Sequence, residues 1–179
     1  MARLSVEEIR KAFSNSSDFN ELLEAFREAL EQQAKDIELY RLLFWNPSLS
    51  PDELRFFGEK LAKEMPALAF DVYMWLANVF EVTHSAYDNF ELAIEYYRKA
   101  SSVKPDERSP YLSACDCYDS DLNIPPIDTL IEFLQEGLKF VVHKNTLFLR
   151  LSHLYHLRGD EILSSYYRRR AEESGQASI

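Results

Sequence analysis

The chain has 179 residues, 46% of them hydrophobic, which suffices for one ordinary domain or a short repeat array and is too apolar for disorder. Thirty acidic residues against twenty basic give a net charge of −10, which works against nucleic-acid backbones and acidic membranes, because affinity for both comes from clustered Lys and Arg. Its two cysteines, Cys115 and Cys117, are too few for a disulfide scaffold and point in different directions on a helix, so reduced thiols in a reducing compartment are expected.

The opening stretch MARLSVEEIRKAF has no apolar core run and turns acidic at once. Neither a signal peptide nor a transmembrane span is expected there, and the protein is read as cytoplasmic. Ser5 and Glu8 form a capping-box pattern that predicts a helix start, with Val6, Ile9 and Phe13 on one face. A polar SNSSD turn follows, and Phe19, Leu22, Phe26, Ala29 and Leu30 give the apolar face of a second helix. Ile37, Tyr40 and Phe44 begin a second hairpin; NPSLSPDE then breaks the chain and restarts it with Ser50 as cap and Pro51 in the first turn. Leu54, Leu61 and Pro66 complete that hairpin.

In the third hairpin Tyr73, Leu76, Ala77 and Phe80 stand at offsets of zero, three, four and seven, one face of a helix. Phe90, Ala93, Tyr97, Ala100 and Pro105 follow at second-helix positions. The fourth opens with Ser109 and Pro110, repeats the offsets with Tyr111, Ala114, Cys115 and Tyr118, and continues with Leu130, Leu134 and Gly137. The fifth begins near Asn145, places Phe148, Leu151, Ser152 and Tyr155 at the same offsets, closes a turn at Gly159 and runs on through SSYYRRRAEE. Arg168, Arg169 and Arg170 are expected to form the solvated outer face of a terminal helix. Residues 1–173 read as one helical-repeat domain and 174–179 as a flexible tail.

A large residue, a Leu, a small residue, an aromatic and a turn glycine in that order resemble the first helix of a tetratricopeptide repeat, a helix-turn-helix unit of about 34 residues. The leading residue recurs at Ile37, Tyr73, Tyr111 and Phe148, at intervals of 36, 38 and 37. The excess fits longer turns such as VTHSAYDN and SDLNIPP, where added loop residues cost little chain entropy. Arg10 and Arg41 depart from the pattern at the small-residue position, and Gly58 stands where an aromatic is usual. The resemblance implies an all-α fold, a right-handed α-solenoid of four to five stacked antiparallel helix pairs whose first helices line a concave groove. No Rossmann, P-loop or strand-period pattern competes.

Under that resemblance, residues five and eight beyond each leading position face the groove. They pair as Leu42 with Trp45, Asn78 with Glu81, Asp116 with Asp119, and His153 with His156, and Met74 adds apolar surface in the N-terminal half. Between Asp71 and Glu136 there are thirteen acidic and four basic residues. A basic peptide or helix of another protein, anchored on Trp45, is the natural complement. Carboxylate-binding members of the family carry Lys, Arg and Asn in the groove, which these positions do not. The alternatives are a secretion- or assembly-type chaperone shielding an apolar segment, ordinary solvated helix faces, and a metal site from Glu81, Asp116, Asp119, His153 and His156, against which stands the absence of an HExxH motif. Cys115 reads as a compact packing residue. No cofactor is implied, no catalytic constellation is expected, and pairing of end hairpins into homo-oligomers stays open.

Overall fold

Ser5 sits in extended conformation and accepts a hydrogen bond from the Glu8 N–H at 3.3 Å, while the Glu8 carboxylate accepts from the Ser5 N–H at 2.7 Å. This reciprocal cap starts α1 (Val6–Asn15) and holds the Glu8 carboxyl below its usual range. The Asp18 carboxylate accepts from the Asn20 N–H to start α2 (Phe19–Glu31), and Asp36 accepts from Glu38 N–H to start α3 (Ile37–Phe44). Ser50 and Glu53 make a second reciprocal cap, with Pro51 in the first turn, at the head of α4 (Pro51–Glu64). A short 3₁₀ turn, Pro66–Leu68, leads into α5 (Ala69–Thr83). Then come α6 (Tyr87–Val103), α7 (Ser109–Asp116), α8 (Ile127–Gly137), α9 (Asn145–Leu157) and α10 (Glu161–Gln176).

The structure, a computed structural model, describes residues 3–83 and 87–176, and the side chains of 3–82 and 90–175. Among the described residues there is no strand, only an isolated bridge between Asp119 and Ile124. The fold is the expected all-α one. It divides into two compact units, Met1–Thr83 and His84–Ile179, where the sequence pattern suggests one repeat domain over 1–173. The third expected hairpin, α5 with α6, straddles that boundary, and its turn, 84–86, lies outside the described residues. The tail expected from 174 is helical as far as Gln176; residues 177–179 also lie outside the described ones.

In the first unit α3 packs against α1 and α5, and α4 against α2 and α5. Aromatic rings carry the core: Tyr40 lies 6.4 Å from Phe13 and 6.2 Å from Phe26, and Phe26 meets Phe57 edge-on at 5.0 Å. All four are fully buried, and burial pushes the Tyr40 hydroxyl up to about 12. Gly58 explains its own departure from the pattern. A Cβ there would stand 2.2 Å from Leu76 Cδ1, so the backbone of α4 and the side chain of α5 meet where only hydrogen fits. Val6, expected on the apolar face, is 48% exposed, because α1 begins at that residue and its side chain leans back past the helix start, where no earlier turn lies.

The second unit packs α6 on α7, α7 on α8 and α9, α8 on α9, and α9 on α10. Small residues again mark close crossings. A Cβ at Gly137 would meet the Tyr111 ring at 2.9 Å, and the Ser152 hydroxyl donates to the Ser164 carbonyl across the α9–α10 pair at 2.9 Å. Gly159, at φ 83, makes the turn between those two helices. Cys115 and Cys117 are both buried; the Cys115 thiol donates to the Tyr111 carbonyl at 3.3 Å, and desolvation pushes it up to about 12.

Candidate functional site

On α3 the residues Glu38, Arg41, Leu42 and Trp45 recur at offsets of zero, three, four and seven, and on α5 Asp71, Met74, Trp75 and Asn78 do the same. Each set is therefore one helix face. All eight are exposed or half-buried, beside fully buried Leu39, Tyr40, Leu43, Val72, Leu76 and Ala77. The two faces adjoin, since α3 packs on α5. Trp45 caps the C-terminus of α3, its N–H donating to the Arg41 carbonyl at 3.0 Å, and the Pro47 turn directly after it stops the helix there. That position leaves Trp45 43% exposed, its ring 6.3 Å from that of Trp75 and inclined at 74°. The Arg41 guanidinium lies 3.6 Å over the Trp75 ring and is ion-paired with Glu38. Glu81 is half-buried further along α5, and Val82 beside it is 63% exposed. The patch is thus aromatic, edged by carboxylates, with its one guanidinium already engaged.

The corresponding face of the second unit is different in kind. Asp116 ends α7, and its Oδ1 accepts from Arg150 of α9 at 2.5 Å. Asp119 does not share its helix. Oδ1 of Asp119 accepts from the N–H groups of Asp121 and Leu122 at 2.9 and 3.1 Å, and its backbone pairs with Ile124. Tyr118, expected on the packed face of that helix, also falls beyond its end. The cause is local chemistry: Asn123 takes the left-handed conformation at φ 52, and its Oδ1 accepts from the Ile127 N–H and the Tyr118 hydroxyl, closing SDLNIPP as a turn. His153 and His156 are both exposed on α9, with His156 Nδ1 2.6 Å from Glu161 Oε1.

With helix order and packing in view, the likeness to solved structures is one of fold. This chain is similar to MamA. Two crystal structures of MamA, a TPR-like helical protein, superpose with TM-scores of 0.55 at 15% sequence identity. The first match covers 99% of this chain and 98% of that one; the second covers 95% and 93%. A further structure, MamA MSR-1 C2, matches at a TM-score of 0.50 and 15% identity over 97% and 98%. No protein-family model matches the sequence, and no curated protein matches it. The fold resemblance to MamA, like the helix pattern, coarsely fits a TPR-type arrangement of helix pairs.

Of the expected groove residues, the structure brings Leu42, Trp45, Met74 and Asn78 onto the adjoining faces of α3 and α5. It engages Asp116 in an ion pair and turns Asp119 to loop closure. Among the described residues no three His, Cys, Asp or Glu side chains gather as a metal site would need. Also among them, no helix is long and apolar enough to cross a membrane. Sequence reasoning passed over Trp75 and read Arg41 only as a departure from the repeat. The signal for both was present, because Glu38, Arg41 and Trp45 share one helix face and Asp71, Trp75 and Asn78 another.

Proposed function

We propose that this chain is a non-enzymatic protein-interaction scaffold, a divergent member of the tetratricopeptide family, that holds a peptide or helical segment of another protein on the α3–α5 face. The observation that carries this is the tryptophan pair. Trp45, a large amphipathic residue, stays 43% exposed, as only Phe56 does among the other described aromatic residues of its unit, and Leu42 and Met74 stand half-buried beside it. Aromatic residues of this kind dominate binding energy at protein interfaces, and removal of one typically costs about 2 kcal/mol or more. The fold likeness to MamA agrees with a helical scaffold for protein interaction.

The test is affinity capture from the source cell with wild-type protein beside Trp45→Ala and His153→Ala. A bound protein retained by the second variant and lost by the first, at about thirtyfold or more weaker affinity, is the expected outcome. Equal recovery by all three would remove the α3–α5 face as the site.

A further inference from the structure

We propose that the α3–α5 face carries a subsite for a cationic side chain, and that the partner segment delivers an arginine to the ring of Trp45. This rests on the reading of that face as the binding site and names what its occupant must present.

The protein has built one such contact within itself. Arg41 lays its guanidinium 3.6 Å over Trp75 and is ion-paired with Glu38. A planar cation on an indole face, neutralised at its rim by a carboxylate, is a stable arrangement in this surface environment. Trp45 lies 6.3 Å from Trp75 at 74°, so the two rings form two walls of a corner. Arg41 takes the Trp75 wall, and Trp45, 43% exposed as a residue, is the other.

Charge favours the same occupant. The helices α3 and α5 together carry Glu38, Asp71 and Glu81 against the single base Arg41, which is already stacked and paired. Asp71 is exposed on the face that carries Trp75. An incoming carboxylate would meet like charge at this rim, whereas a guanidinium would meet an electron-rich ring and acidic neighbours. The second unit offers no equivalent, because Arg150 already occupies Asp116 and no tryptophan lies there.

The chain contains two tryptophans, both in this corner, so tryptophan emission, excited apart from the ten tyrosines, reports on this site alone. The probe is an amphipathic helical peptide with leucines on one face and a central arginine, compared with the same peptide bearing citrulline or glutamate in that place, at physiological salt. The arginine peptide should shift the emission saturably and bind about three- to fivefold tighter than the citrulline peptide, with the glutamate peptide weakest. Trp45→Leu, which keeps apolar area and removes the ring, should bind arginine and citrulline peptides alike, and far-UV circular dichroism checks that it is folded. Equal affinity of wild-type protein for arginine and citrulline peptides overturns the cation subsite; if Trp45→Ala still loses the captured protein, the interaction face survives that result. No emission change with the arginine peptide at millimolar concentration overturns the subsite as well.

Discussion

Helices α1 to α4 of the first unit all begin on a side chain that closes them: Ser5, Asp18, Asp36 and Ser50. In the second unit α7, α8 and α9 begin on Arg108, Pro126 and Lys144 with no side-chain cap, and three arginines instead reach across to carboxylates. Arg98 pairs with Glu136, Arg150 with Asp116, and Arg158 with Asp128. Local capping fixes where a helix starts, whereas cross-helix ion pairs fix how two finished helices meet. Exposed pairs of that sort add at most about 1 kcal/mol each, so their effect lies in orientation more than in stability. The first unit also has such pairs, Arg3 with Glu28 and Arg10 with Asp36, so the functional difference lies in the aromatic face that α3 and α5 leave open.

The largest test of this contrast strikes the first unit at its tightest crossing. Gly58→Val forces branched bulk against Leu76, which is fully buried, so unfolding free energy should fall by about 2–3 kcal/mol. Urea denaturation should show a lower midpoint at unchanged slope. The same substitution in a Leu76→Ala background should cost less, because the two side chains compete for one space. An additive result would mean that the crossing is looser than the glycine implies.

A smaller effect separates the polar clasps of the two units. The Asn46 side chain, buried after α3, donates to the Phe13 and Ser16 carbonyls at 2.9 Å each and so ties down the C-terminal end of α1. Asn46→Ala leaves both acceptors short of a partner and should cost about 2 kcal/mol. Ser152→Ala removes one contact between α9 and α10 and should cost about 1 kcal/mol. If the serine proved the more costly, the second unit would depend on buried polar contacts more than its ion pairs suggest.

These cases also mark what the sequence could say in advance. Ser5 with Glu8, Ser50 with Pro51 and Gly159 are signals within one turn of chain, and each does in the fold what its spacing announces. Gly58 was visible only as an anomaly, because its reason is Leu76, a residue from the next helix. Asp119 was counted along a helix that Asn123 and the following prolines prevent from reaching it, a competition that offset-counting does not weigh. Trp45 was found by offset and Trp75 was not: the repeat's leading position at Tyr73 directs attention to Asn78 and Glu81, while the ring that meets Trp45 stands two residues after Tyr73. A site made by two helices is legible in pieces, and the pairing of the pieces is a property of the packing.

The smallest predicted effect returns to the caps and depends on pH. Glu8 accepts hydrogen bonds from the Ser5 N–H and hydroxyl, and these lower its carboxyl from 4.5 in the folded chain. A carboxyl depressed by folding stabilises the fold above its unfolded value and loses that contribution as pH falls through the folded one. Thermal unfolding should therefore separate wild type from Glu8→Ala at neutral pH, and the gap should narrow as the pH drops below about 4.5. Amide exchange in the first turn of α1 should quicken relative to the first turns of α7 and α9 over the same range, since those helices have no capping carboxylate to protonate. A gap that stays constant down to pH 3 would assign the Glu8 contribution to helix propensity, and the cap would then act through the Ser5 hydroxyl alone.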